Sequence, residues 1–330
     1  MRRFLLSTTL VLMAACLPLH HTGQPRRFIG VNCFDLARYA DRADDIFAHL
    51  ATNGVRVVRF WAFQKYCGPT GTNFARFDQI IAAGKHHGIQ LLPVLENHWK
   101  HCTYNAGLEW KPPAWYDTGW RTEKFGGAPL TYRDYLHAIV RHFQNEPQIL
   151  AWQLVNEPEI EPDTPASFAT LRRFTRDVSR ELKQADPYHP VSLGLLGLGQ
   201  PATTGQQFRQ LHNLPGIDLV TAHDHGYMNE PLAGKDWPLV ENSLYADLLD
   251  ARALRKPFIV TEAGIAIEWV NGDRVKRAEL FRAKLRAFFA AGGTGYILWN
   301  YEPEPDTNYG FGPTDPVLPM LRQMAAELSL

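Results

Sequence analysis

From residue 28 onward, short apolar and β-branched runs alternate with longer stretches of helical period, and Gly, Pro, Asn and Asp punctuate the junctions. The candidate strands are Phe28 to Cys33, Val55 to Phe60, Gln90 to Glu96, Ile149 to Glu157, Val191 to Gly197, Asp218 to His223, Phe258 to Glu262 and Gly295 to Asn300. Helical patterns fall between them at Ala43 to Ala51, Phe77 to His87, Tyr132 to Phe143, Phe168 to Gln184, Leu239 to Leu254 and Arg274 to Ala290; the weakest lies near Gly205 to His212. Strands that are apolar nearly throughout, joined by crossover helices, predict a parallel sheet covered on both faces. Eight such units predict an α/β protein with a single (β/α)8 TIM barrel over residues 28–330. The one long insertion, Asn97 to Pro129, follows the third strand and is rich in Trp, Tyr, Gly and Pro.

In such barrels chemistry gathers at the C-terminal ends of the strands. The polar and aromatic residues at those ends are Asn32, Arg59 with Trp61, Glu96 to Trp99, Asn156 with Glu157, His223 to His225, Glu262, and Trp299 with Asn300. Two acids stand out. Glu157 closes the run Trp-Gln-Leu-Val-Asn-Glu, with Pro158 stopping the strand behind it, and Glu262 closes Phe-Ile-Val-Thr-Glu, with Gly264 permitting a turn. Strands four and seven lie across the barrel mouth from each other, so their inward side chains can flank one ligand. Glycosidic bond cleavage needs such a pair: an acid for the leaving oxygen, and a carboxylate to attack the anomeric carbon or activate water. Either acid alone reads as a solvated loop residue; the pair in this order is the signal.

Composition narrows the partners. Lys+Arg 34 balances Asp+Glu 34, and no basic run follows residue 27, which excludes a nucleic-acid binder relying on phosphate neutralisation. With 45% hydrophobic and 12% aromatic residues the chain can bury a large core. Residues 1–15 read as a signal peptide: Arg2 and Arg3, then an apolar run from Phe4 to Met13, then Ala14 and Ala15. Met13-Ala14-Ala15-Cys16 resembles a lipoprotein signal, so Cys16 is the expected lipidation site and residues 16–27 a tether, with plain cleavage and secretion as the alternative. Export to the cell envelope permits disulfides, and Cys67 and Cys102, in loops after consecutive strands, are a candidate pair, the alternative being unpaired buried thiols. His98, His101, Cys102 and the His223-Asp224-His225 triplet raise a metal reading. The first strand ends Val31-Asn32-Cys33 without the His-x-His of metal-dependent barrel hydrolases, so no metal or cofactor is expected.

The motifs resemble glycoside hydrolase clan A, and most closely family 5, which contains cellulases and β-mannanases. The resemblance rests on Asn156-Glu157-Pro158, Glu262, Val57-Val-Arg-Phe-Trp-Ala-Phe63, Asn97-His-Trp99, Lys256-Pro257 and Trp299, in barrel order. It implies a retaining mechanism with Glu262 as nucleophile and Glu157 as acid/base. Two close carboxyls do not easily both ionise, so the negative nucleophile keeps a proton on its partner until glycosylation removes the charge. Arg59 is expected to hold Glu262 ionised, Asn156 to donate to the sugar 2-hydroxyl, and Trp299 to floor the sugar ring. Trp61 and Trp99, with Trp110, Trp115 and Trp120, are candidate sugar platforms, of which at most three are expected to touch substrate. The sixth strand departs from the family pattern His-x-Tyr. Either His223 takes the His place and His225 the Tyr place, or His225 and Tyr227 form the pair; strand position favours His223. The expectation is an exported monomer acting on a β-linked glycan, endo-β-1,4-mannanase-like first. A β-glucanase or envelope-glycan glycosidase is the second reading, and a non-catalytic glycan-binding barrel the reading from another class.

Overall fold

The computed structural model describes residues 26–99, 110–197, 199–225, 228–236 and 243–330. The expected leader, Cys16 and the tether up to residue 25 lie outside the described residues, as do Cys102 and Tyr227. Eight parallel strands form the sheet: β1 (Phe28–Asn32), β2 (Val57–Trp61), β3 (Gln90–Val94), β4 (Trp152–Gln153), β5 (Val191–Ser192), β6 (Val220–His225), β7 (Phe258–Gly264) and β8 (Gly295–Trp299). They run in the order β5-β4-β3-β2-β1-β8-β7-β6. Between the two ends of that order, Asp218 N donates to Val191 O at 2.8 Å and His223 N to Leu196 O at 2.9 Å, which draws the sheet into a barrel.

A helix follows each strand: α1 (Ala43–Thr52), α2 (Ala75–His87), α3 (Tyr132–Phe143), α4 (Pro165–Ala185), α5 (Gln206–His212), α6 (Leu244–Leu254), α7 (Arg274–Ala290) and α8 (Val317–Glu327). Local signals set their ends. Thr131, Thr164, Ser243 and Asp273 each cap a helix by accepting a backbone N–H with the side chain, and Gly88 ends α2 in the left-handed region at φ 66°. The bounds of α3 and α7 are those the hydrophobic pattern predicts. The last helix, α8, was not anticipated: Pro319 in its first turn interrupts the pattern without preventing a helix start, where a missing N–H costs no bond. Among the described residues no helix is long and apolar enough to cross a membrane.

The fourth and fifth strands are much shorter than the apolar runs suggest. Gly194 explains this: its φ is +97°, and a Cβ there would stand 2.2 Å from Val155 O. The chain leaves extended geometry so that Gly194 O can accept Glu157 N at 2.9 Å. That contact supports Glu157 itself, a non-glycine residue at φ 48°, a conformation that persists only when its surroundings impose it.

Alternation along each strand divides the interior into levels. On β2, Val58 and Phe60 face outward into the main core between barrel and helices. Val57 joins Phe28, Leu92, Leu150, Ala151, Leu219, Ile259 and Ile297 in an apolar plug inside the barrel. Arg59 stands one level above the plug, and Trp61 at the mouth packs with Phe63 and Val94.

Candidate active site

Arg59 is fully buried and organises the polar level. Its Nη1 donates to Glu262 Oε1 at 2.6 Å and to Asn32 Oδ1 at 2.8 Å, its Nε to Gln153 Oε1 at 2.8 Å, and its Nη2 to Asn156 Oδ1 at 2.6 Å. Asn156 in turn donates from Nδ2 to Asn97 Oδ1 at 3.1 Å, and Asn32 donates to Thr261 O at 2.9 Å. A guanidinium with five fixed donors suits a hub of four carbonyl and carboxylate acceptors. Gln153 was not anticipated here; its signal was a lone amide in the apolar run around Trp152.

The two glutamates meet above this hub. The register between β6 and β7 slips so that Ala222 pairs with Val260 but His223 with Glu262, bulging Thr261. A bulge of this kind re-aims the following side chain, here Glu262, into the mouth. His223 Nδ1 lies 2.6 Å from Glu157 Oε1 and 3.7 Å from Glu262 Oε2, and His225 Nε2 lies 3.2 Å from Glu262 Oε2. One carboxylate oxygen of Glu157 and one of Glu262 lie within 4.8 Å of each other. Of the two sixth-strand registers, the structure brings His223 to Glu157 and His225 to Glu262. Gly264 makes room for this: a Cβ on it would stand 2.5 Å from His225 Nδ1, a closer constraint than the turn expected of it. Between the histidines, Asp224 points the other way, to Lys284 Nζ at 3.0 Å and Tyr296 Oη at 2.6 Å.

Burial by itself would push the Glu262 carboxyl up, but the positive charges of His223 and Arg59 and the hydrogen bond from His225 outweigh it and hold the group at about 2. The same contacts act on His225, where burial favours the neutral ring but the Glu262 carboxylate wins and raises its pKa. A carboxyl depressed on folding adds stability above its ordinary 4.5, and that stability is lost as pH falls toward about 2. The expected contribution at neutral pH is on the order of 3 kcal/mol. Urea unfolding of wild type and Glu262→Gln between pH 5 and pH 2 checks this; equal slopes against pH would refute it.

The aromatic platforms divide. Trp99 is half-buried and donates from Nε1 to Glu157 Oε2 at 2.5 Å. Trp110, 40% exposed, meets it edge-on at 4.7 Å. Trp299 is half-buried, stacked on Phe34 at 5.3 Å. Trp61, expected as a platform, is instead only 2% exposed, pressed between Phe63 and Trp299. Trp115 and Trp120 are likewise buried, both against Phe174 of α4. A large aromatic in a long insertion gains more by packing onto a neighbouring helix than by facing water.

Other rim acids have structural partners. Glu96 pairs with the buried Lys111 Nζ at 3.1 Å, which also donates to Asn97 O at 2.7 Å and so moors the insertion to the end of β3. Glu302 accepts from Asn300, Asp306 and Thr307, and Glu304 pairs with Arg42 at the surface. Glu159 was missed; it is 4% exposed and pushed up to about 7, by burial first and then by Glu161 and Glu157. Facing it at 3.7 Å is His98, lowered to about 3 by burial and by Lys111. The acid two places beyond Glu157 was the only sequence sign of this pair.

Cys67 is a buried free thiol, its Sγ 3.8 Å from both Phe63 O and Tyr135 Oη. Burial pushes it up to about 12. Its side chain turns into the core beneath the loop after β2, which corrects the expected pairing with Cys102. Cys33 is also a buried free thiol.

The eight-stranded parallel barrel thus brings Glu157, beyond its fourth strand, and Glu262, on its seventh, together at one mouth. A family model described as "GH family 5 beta-mannosidase-like" matches residues 132–279. The chain is 28% identical to "Probable mannan endo-1,4-beta-mannosidase F" of Aspergillus oryzae, over 74% of this chain and 58% of that protein. It thus spans a little over half the length of that relative. Against "Mannan endo-1,4-beta-mannosidase 8" of Oryza sativa it is 24% identical, over 86% of this chain and 88% of that protein. The endo-beta-1,4-mannanase of Thermotoga petrophila superposes with a TM-score of 0.74 at 22% identity, over 92% of this chain and 77% of that one. These similarities agree with the resemblance to glycoside hydrolase family 5 drawn from the strand-end motifs.

Proposed function

We propose that the chain is a retaining endo-β-1,4-mannanase in which Glu262 is the nucleophile and Glu157 the acid/base. The observation that carries the mechanism is the approach of the two carboxylates to within 4.8 Å. Retaining enzymes hold their carboxyl groups about 5 to 5.5 Å apart, whereas inverting enzymes need about 6.5 to 9.5 Å to admit a water.

In the first step a Glu262 oxygen attacks the anomeric carbon while the glycosidic C–O bond breaks and its oxygen takes the Glu157 proton. The carboxylate is delivered ionised by Arg59 and His225. Glycosylation removes the Glu262 charge, and Glu157, its proton given to the leaving group, is left to act as base. In the second step Glu157 accepts a proton from water, the water oxygen attacks the anomeric carbon, and the ester bond to Glu262 breaks. His223 and Trp99 hold one oxygen of Glu157 each, fixing its aim through both steps. Asn156, its carbonyl held by Arg59, presents its amide to the 2-hydroxyl, a bond that strengthens as positive charge develops on the ring. Trp299 and Trp99 offer apolar faces to flanking sugars. The β-mannan assignment follows the names of the relatives, and the apolar leader favours an exported protein, held by a lipid on Cys16 or released.

Glu157→Ala tests the assignment. Turnover of β-mannan is expected to fall by about 10²- to 10⁴-fold, with far less loss on aryl mannosides whose leaving groups need no proton. Azide should restore part of the rate and give a β-mannosyl azide. Unchanged turnover would remove Glu157 from its role, and preferential release of oligosaccharides from β-glucan or xylan would replace mannan as the substrate. Glycan binding with no turnover by the wild type would make the barrel a binding module.

A further inference from the structure

The hydrolytic reading accounts for the two carboxylates but not for the pair of imidazoles that closes the space between them. Glu157, His223, His225 and Glu262 each bring one donor atom to a common point, all four within 4.8 Å of one another. Three of the separations around that point are 2.6 Å, 3.2 Å and 3.7 Å. A tetrahedral zinc-like ion with bonds of about 2.0 to 2.2 Å spaces its ligands about 3.4 Å apart, which these values bracket.

Each donor is also oriented from behind. Glu157 Oε2 is held by Trp99 and Glu262 Oε1 by Arg59, which leaves Glu157 Oε1 and Glu262 Oε2 turned toward the imidazoles. Outer partners of this kind are what align ligands around a metal. His223 is fully buried, and its Nε2, like His225 Nδ1, has no partner among the described residues. Loss of the Nδ1 proton of His223, with the Nε2 proton kept, therefore breaks no bond beyond the one to Glu157. Two carboxylates with two imidazoles and no sulfur suit zinc and its d-block neighbours over calcium or magnesium. Arg59, already paired with Glu262, repels a cation and keeps the hold weaker than at a dedicated structural zinc site.

We propose that Glu157, His223, His225 and Glu262 bind a divalent d-block cation such as Zn2+ reversibly, so that the ion competes with the glycan for both catalytic carboxylates. This rests on the proposed function only for its competitive character; the binding itself does not. A second cluster, exposed Asp44 with His86 Nδ1 at 2.7 Å and His87 Nε2 at 2.9 Å, offers a surface site that must be removed first.

The test uses the full chain carrying His86→Ala and His87→Ala, whose hydrolysis should equal wild type. Calorimetric titration with Zn2+ should show one ion per chain, and Co2+ should give the intense visible absorption of a four-coordinate site. Zn2+ should raise KM without lowering kcat, and a chelator should restore the original rate. His225→Phe and Glu157→Gln should each weaken Zn2+ binding at least about tenfold, as expected for loss of one of four ligands; two variants guard against a folding defect in either. No binding in the His86→Ala/His87→Ala background, or binding indifferent to both variants, overturns the proposal while leaving the hydrolytic reading intact. If the chain hydrolyses no β-glycan at all, the functional reading fails, and calorimetry with the cobalt spectrum still decides the metal site.

Discussion

Replacing Glu262 with alanine is expected to lower turnover by about 10⁵-fold or more, the scale on which loss of a covalent nucleophile registers. No other group can take its place. Arg59 cannot deprotonate to attack, His223 and His225 lie against the carboxylates, and Asp224 is turned away toward Lys284. The stereochemistry of rescue separates the two glutamates. Azide entering the space left by Glu262 attacks from the nucleophile's own face and yields an α-mannosyl azide, opposite to the product from Glu157→Ala. A 2-fluoro mannoside with a good leaving group should label wild type on the β7 peptide and fail to label the variant. Labelling of another acid, or a β-azide from Glu262→Ala, would reverse the assignment.

The second large effect is expected at Arg59. Replacement by methionine keeps length and apolar bulk but leaves Glu262 buried without its cation, and strips Asn32, Gln153 and Asn156 of a shared donor. Breaking a buried ion pair from one side costs about 3 to 5 kcal/mol, to be read as a fall in the urea midpoint at neutral pH. Catalysis should suffer separately, by about 10²- to 10³-fold in kcat, because the carboxylate loses both its charge support and its aim. The acid limb of kcat/KM should also move to higher pH, since the guanidinium no longer opposes the effect of burial on Glu262. A lysine at 59 should rescue little of this, having a point charge where a planar fork is needed. A variant as stable and as active as wild type would show that the four bonds of the hub are replaceable.

How far the sequence could be read depended on which residues answer to periodicity and which to packing. Asn32, Arg59, Asn156, Glu157, His223, Glu262 and Trp299 were legible because parallel strands are apolar inside, so a polar or aromatic residue ending one is conspicuous. Their order along the chain then fixed which stand across the mouth from which. The fourth and fifth strands were overestimated, since nothing in Ile149 to Glu157 announces that Gly194 will draw the neighbouring backbone beneath Val155. Trp61, which ends β2, and Trp115 and Trp120, in short helical turns of the insertion, were given to solvent wrongly. So short a segment has no period to reveal whether a helix lies above it, and α4 lies over Trp115 and Trp120 through Phe174. His98 was legible as a strand-end residue, but its pairing with Glu159 was not; only the fold brings them together.

The seam where β5 meets β6 is closed by isolated backbone bonds, whereas β2 and β3 or β7 and β8 are laced along their length. His223 sits on that seam, its own N–H serving as one of the few stitches among the described residues. Thermal opening of the cylinder is therefore expected to begin beside the residue that holds Glu157. Warming would blunt the reaction centre before it dissolves the scaffold around it.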